Sequence, residues 1–184
     1  MNQQNHSGQG NNIIAENVFI ESIPKLSSDL TMIVNTLSKK IFFTEGESEK
    51  DPKLSFSPTS KIEYNNVKRF KIIIDNFKHF VGKLSSIYKE FDAQGTNKTY
   101  IVLENIKLSY LKEKSNLIEK NVGKNEIEII RENADNLIDA VEKNLLTEIK
   151  SSANIEVSSE SVNLSLQIIL IDAFIRCKIL EEPI

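Results

Sequence analysis

The segment from Ser161 to Leu180, reading SVNLSLQIILIDAFIRCKIL, is apolar nearly all round yet carries Asp172, Arg176 and Lys178. A bilayer helix needs about 20 consecutive apolar residues, and the polar side chains interrupt every such run here. A helix this greasy on all sides but too polar for lipid belongs at the centre of a helical core, with other helices around it. At 184 residues the chain is long enough to bury roughly 70% of its unfolded surface. Low Gly and Pro counts and the absence of Trp lean the same way, toward helices.

The single cysteine, Cys177, excludes a disulfide framework and a cysteine-rich metal site within one chain, and its apolar neighbours predict a buried, inert thiol. A reducing, cytoplasmic setting follows from it. The opening MNQQNHSGQGNN has neither a basic leader nor a hydrophobic stretch, so secretion is not expected. Net charge is only -3, but residues 61–124 hold 13 Lys or Arg against 7 acids, and residues 125–184 hold 5 against 12. Basic and acidic helices lying side by side account for this split. A nucleic-acid surface is the alternative, and its one tight cluster would be Lys68, Arg69 and Lys71, with Lys78 and Lys83 behind.

Along the chain, residues 12–21, NIIAENVFIE, carry Ile13, Ile14, Val18, Phe19 and Ile20 and read as one short strand. Beyond Pro24, Leu30, Ile33, Val34, Leu37 and Ile41 recur at steps of three and four and predict an amphipathic helix. Acids, prolines and serines over 44–59 then read as a linker, which divides the chain into an N-terminal arm (1–43) and a helical bundle (60–184).

The bundle opens with a capping-box spacing, Ser60 to Glu63. One long helix is expected to follow, with Val67, Phe70, Ile74, Phe77, Val81, Leu84, Tyr88 and Phe91 inward and Ile73, Phe80 and Ile87 widening the stripe. Gly95 breaks it and Asn97 caps a second helix, whose inward row is Tyr100, Leu103, Ile106, Tyr110 and Leu117. After Gly123 a third turns Ile127, Ile130, Ala134, Leu137 and Val141 inward, and Glu128, Glu132, Asp135, Asp139 and Glu142 form an acidic ladder outside. The turn at 151–154 and N-cap candidates at 158–161 lead into the buried last helix. The fold class is therefore all-α, an antiparallel bundle of about four long helices preceded by a short β-strand and an amphipathic helix.

Little of this is suited to catalysis. His6 lies in the polar tail, and Asp75 with His79, four apart, lack a companion Glu-x-x-His pair to complete a metal site. Isolated glycines supply no phosphate-binding loop. No catalytic residue, cofactor or metal is expected. The segment at 12–21 has no partner for its backbone within its own chain except three residues at 155–157, which predicts pairing with another copy or another protein.

Three stretches, SKIEYNNVKRFKIIIDNF at Ser60–Phe77, IYKEFD at Ile87–Asp92 and IDAFIRCKILEEP at Ile171–Pro183, resemble the C-terminal domain of bacterial ABC-three component systems, a group related to Lamassu-type anti-phage defence. Gly8–Glu21 also resembles the short strand preceding effector-associated modules of bacterial conflict systems. The resemblance implies a docking module that tethers an effector to an ABC- or structural-maintenance-type ATPase. In that family the effector is usually an N-terminal toxic enzyme, and the first 57 residues here are too short and too poor in reactive groups for one. The expectation is a non-enzymatic adaptor subunit that self-associates through its N-terminal strand, with the acidic ladder as a second interface. Nucleic-acid binding through Lys68, Arg69 and Lys71 is the less favoured reading.

Overall fold

The computed structural model describes residues 28–40, 57–93, 95 and 97–183. Among them the chain forms seven α-helices: α1 (Asp29–Lys40), α2 (Pro58–Tyr64), α3 (Arg69–Phe77), α4 (Val81–Ala93), α5 (Lys98–Glu119), α6 (Glu126–Ser151) and α7 (Ser159–Ile175), with a 3-10 turn at Lys78–Phe80. No strand occurs among the described residues. The expected strand, with Ile13, Ile14, Val18, Phe19 and Ile20, lies outside them.

α7 is the axle. Leu166, Ile168, Ile169, Leu170, Ile171, Ala173 and Phe174 are all fully buried, and α1, α3, α4, α5 and α6 each pack against it. Its N-cap is Ser158, whose Oγ accepts the Ser161 N–H at 3.2 Å. The helix stops at Ile175, five residues short of the expected end. Arg176 is the C-cap and Cys177 takes a left-handed backbone (φ 56°). The Cys177 N–H reaches the Phe174 carbonyl (3.1 Å) and the Lys178 N–H reaches the Ala173 carbonyl (2.8 Å), which makes a Schellman turn without glycine. Cys177 is thus half-buried in a turn beyond the helix, not within it as the sequence suggested.

α1 joins the same core. Leu30, Ile33, Val34 and Leu37 are buried with residues of α4, α5 and α7, and Ser38 Oγ meets Ser165 Oγ of α7 at 2.7 Å. The Asn35 side chain donates to the Asn154 carbonyl (2.7 Å) and accepts the Glu156 N–H (3.2 Å). Its apolar row therefore completes the wall of the bundle.

The long first helix expected over 60–91 is broken into α2, α3, the 3-10 turn and α4. Its start lies earlier than the Ser60–Glu63 box, at Ser57, whose Oγ accepts the Ser60 N–H at 3.1 Å with Pro58 in the first turn. α2 ends in another Schellman turn, with Asn66 at φ 55°, its N–H on the Glu63 carbonyl and the Val67 N–H on the Ile62 carbonyl. The inward row survives each break: Val67, Phe70, Ile74, Val81, Leu84, Tyr88 and Phe91 are all buried. α5 and α6 are the two long helices and pack on one another through a short connection.

Candidate functional site

The three stretches that carry the family resemblance converge in space, and what they build is a joint around the end of α7. Lys61 of α2 is fully buried. Its ammonium donates to the Phe174 carbonyl (2.6 Å) and the Ile179 carbonyl (2.8 Å) and sits 4.6 Å from the centre of the Phe174 ring. A helix C-terminus carries partial negative charge and carbonyls without helical partners, and a buried cation satisfies both. Burial lowers the Lys61 pKa from the usual 10.5, against the opposing pull of Cys177, Glu182 and Glu181. Four residues on, Asn65 holds the chain beyond α7 at both backbone groups of Glu181: it donates to the carbonyl (2.8 Å) and accepts the N–H (2.9 Å).

On the other side of α7 the buried Asp172 carboxylate takes Arg176 Nε at 2.8 and 2.9 Å, and Arg176 Nη2 reaches Ser85 Oγ at 3.2 Å. The guanidinium also lies 5.6 Å from the centre of the Tyr88 ring. Burial raises the Asp172 pKa despite Arg176, and burial and then Asp172 push the Tyr88 hydroxyl well up.

Beside this joint an open cleft of about 620 Å³ lies between α5, the start of α6 and residues 177–182. Lys114 bridges Glu126 (2.6 Å) and Glu181 (2.8 Å), and Tyr110 Oη donates to Glu181 (2.7 Å). Burial alone would raise the Glu181 carboxyl, but hydrogen bonds from Lys114 and Tyr110 prevail and hold it below its usual range. Burial alone would likewise lower Lys114, and Glu126 and Glu181 reverse the sign. The Cys177 thiol in the same cleft is raised by burial, with Lys61 opposing, so it is not an activated thiolate. Cation, carboxylates and phenol here are engaged with one another, which braces α5 and α6 against the chain after α7.

The acidic ladder divides. Asp135 accepts the backbone N–H groups of Lys68 (3.1 Å), Arg69 (3.1 Å) and Phe70 (3.0 Å), so a carboxylate from α6 caps the start of α3. Those three N–H bonds outweigh burial and lower its pKa. Asp139 binds Arg69 Nη2 at 2.7 Å, and Glu132 lies 3.8 Å from Lys124. Glu128 is exposed and Glu142 half-buried on the same helix. The basic cluster and the ladder are therefore brought together: Arg69 faces the acids of α6, and Lys71 remains exposed on α3. Asp75 pairs with Lys78 at 3.2 Å, and His79 stacks on Phe80 with ring centres 4.0 Å apart. Among the described residues no group of three or more His, Cys, Asp or Glu could hold a metal, and no helix is long and apolar enough to cross a membrane.

One surface was not read from the sequence. α5 turns Val102, Leu103, Ile106 and Tyr110 into the core, while Tyr100 (62% exposed), Ile101 (53%), Leu108 (48%) and Leu111 (43%) stand outside. At about 3.6 residues per turn these four share an arc of roughly 100° on the side opposite the buried row. Tyr100 was expected inward and is instead the most exposed of them. The signal was present in the seven-residue step from Ile101 to Leu108, which the inward row alone does not need.

Taken together, this is an all-α bundle domain whose buried polar groups serve as braces and whose α5 carries a second set of apolar side chains on its exposed side. A family model described as C-terminal domain 10 of the ABC-three component (ABC-3C) systems matches residues 28–181, starting beside α1 and running through the whole joint. The chain belongs to that family. No curated protein and no solved structure matches it.

Proposed function

We propose that this chain is a non-enzymatic docking subunit of an anti-phage ABC-3C complex, joining an ABC- or structural-maintenance-type ATPase assembly to an effector on another polypeptide. The observation that carries the reading is the second apolar row on α5. Four large apolar side chains stand about half exposed around the Glu104–Lys178 ion pair (2.6 Å), outside the core of a well-packed bundle, and exposed apolar side chains grouped in this way mark a surface for another protein. Family membership supplies the setting, and the mutual pairing of the ionisable groups in the cleft accords with a scaffold. The three-stretch joint then has the role of keeping α5 stiff against α7, so that the outer row is presented as a rigid face.

The test uses the purified chain with the purified ATPase and effector subunits of its own system. Ile101→Lys with Leu108→Lys should abolish capture of at least one of them while leaving helicity unchanged and stability within about 0.5 kcal/mol, since neither residue lies in the core. Capture at wild-type strength by the double variant would refute the reading.

A further inference from the structure

The apolar side chains on the outside of α5 surround a polar centre. Successive helical residues turn by about 100°, which places Glu104 inside the arc that holds Tyr100, Ile101, Leu108 and Leu111. Lys178 donates to Glu104 Oε1 at 2.6 Å, and its ammonium lies 5.9 Å from the centre of the Tyr100 ring. The Glu104 side chain is 35% exposed and that of Lys178 21%. The hydrogen bond from Lys178 holds the Glu104 carboxyl below its usual range, so the group is ionised and only accepts hydrogen bonds. Among the described residues no donor meets its second oxygen, Oε2. The centre is also held from inside the molecule. Lys178 belongs to the turn beyond α7, where its own N–H reaches the Ala173 carbonyl (2.8 Å) and the carbonyl of the next residue, Ile179, takes the buried Lys61 (2.8 Å). One open acceptor position is thus presented at a fixed place between half-exposed apolar groups.

We infer that the partner surface this face accepts is apolar with one neutral hydrogen-bond donor at its centre, an indole or side-chain amide N–H that meets Glu104 Oε2. This rests on the reading of α5 as the docking face and names what is recognised there. A wholly apolar partner would strip water from Oε2 and give nothing back, and a buried acceptor without a partner costs more than a made bond gains. A cation on the partner fits worse than a neutral donor, because Lys178 and, one turn on, Lys107 already act on Glu104. An apolar surface of the right size without a donor is therefore rejected.

The experiment titrates the full chain with the purified ATPase and effector subunits of its own system. Glu104→Leu with Lys178→Met makes the centre of the face apolar without stranding a charge. If apolar area alone were recognised, this variant would bind as tightly as wild type or more tightly. Recognition of Oε2 makes it bind about tenfold more weakly or worse, since the partner's donor is left unmet. Glu104→Leu alone, at a surface position where folding is not at stake, should weaken binding at least as much. Helicity should match wild type and melting temperatures should stay within about 4 °C, because an exposed ion pair adds little to stability. Wild-type binding should change less than about threefold between about 0.05 and 0.5 M salt, as a neutral donor requires. Equal or tighter binding by either Glu104 variant, or steep weakening of wild type by salt, would overturn the inference. In that event, loss of capture by Ile101→Lys with Leu108→Lys leaves the docking reading standing. Capture indifferent to Ile101→Lys with Leu108→Lys sinks the docking reading and this inference with it.

Discussion

Replacing Lys61 by Met tests whether the joint at the end of α7 is a stabilising latch or a tolerated burden. Met keeps most of the stem volume, so little cavity forms. What is lost is the donor to two buried carbonyls, those of Phe174 and Ile179. The Ile179 carbonyl is left without a partner, at about 1–3 kcal/mol, whereas the Phe174 carbonyl keeps the Cys177 N–H and loses a charge-assisted bond of about 1.5–3 kcal/mol. Removing the ammonium also removes its desolvation penalty, which amounts to several kcal/mol for a buried ion. Short contacts to both carbonyls and the Phe174 ring beneath the cation put the balance on the side of loss, and we expect a net destabilisation of about 2–4 kcal/mol. For a domain of this size each kcal/mol moves the melting temperature by about 2–4 °C, so thermal melts followed by circular dichroism should show a drop of about 4–16 °C. The pH dependence supplies a second readout. Because the folded pKa is below the usual 10.5, the unfolded chain holds the proton longer as pH rises, and stability therefore increases with pH up to that value. The gap between wild type and Lys61→Met should widen across the alkaline range. An equal or higher melting temperature for the variant, or a gap that stays flat, would refute the reasoning.

Asp135→Ala should cost about 1–2 kcal/mol in urea denaturation through loss of the cap on α3, with Asp135→Asn recovering part of it. Asp172→Ala strands a partly buried Arg176 and should cost about 3–5 kcal/mol, more than Asp172→Asn, which keeps an acceptor. Since Glu181 is held below its usual 4.5, its contribution is complete above that pH and disappears as pH falls through the lowered value. A urea midpoint series at acid pH should show that slope in the wild type and a shallower one in Glu181→Gln.

Helix identity was legible wherever apolar spacing decided it. Leu30, Ile33, Val34 and Leu37 marked α1, and the all-round greasiness of 161–180 marked the central rod, although the helix itself stops at Ile175. Breaks were not legible, because the spacing from Val67 to Phe91 runs on in phase through two interruptions and reads as one helix. The only local trace of the first break is the Asn65–Asn66 pair, since Asn tolerates the left-handed backbone found at Asn66. Cys177 gave no trace at all; a left-handed turn at that residue is imposed by what grips the chain beyond it, and such grips are long-range. The same holds for Lys61, whose sequence position looks like an ordinary solvent-facing helix start. For Asp135, charge spacing correctly found a ladder on α6 but could not show that the backbone of α3 lies against it.

Because the two apolar rows of α5 occupy opposite sides of one rod, the residues that hold the interior together and those that meet the outside world are separate sets. Leu108 is 48% exposed and Ile106 fully buried, so the two can be substituted on opposite sides of the rod. Such a rod can acquire a new binding specificity by surface drift without having to relearn how to fold.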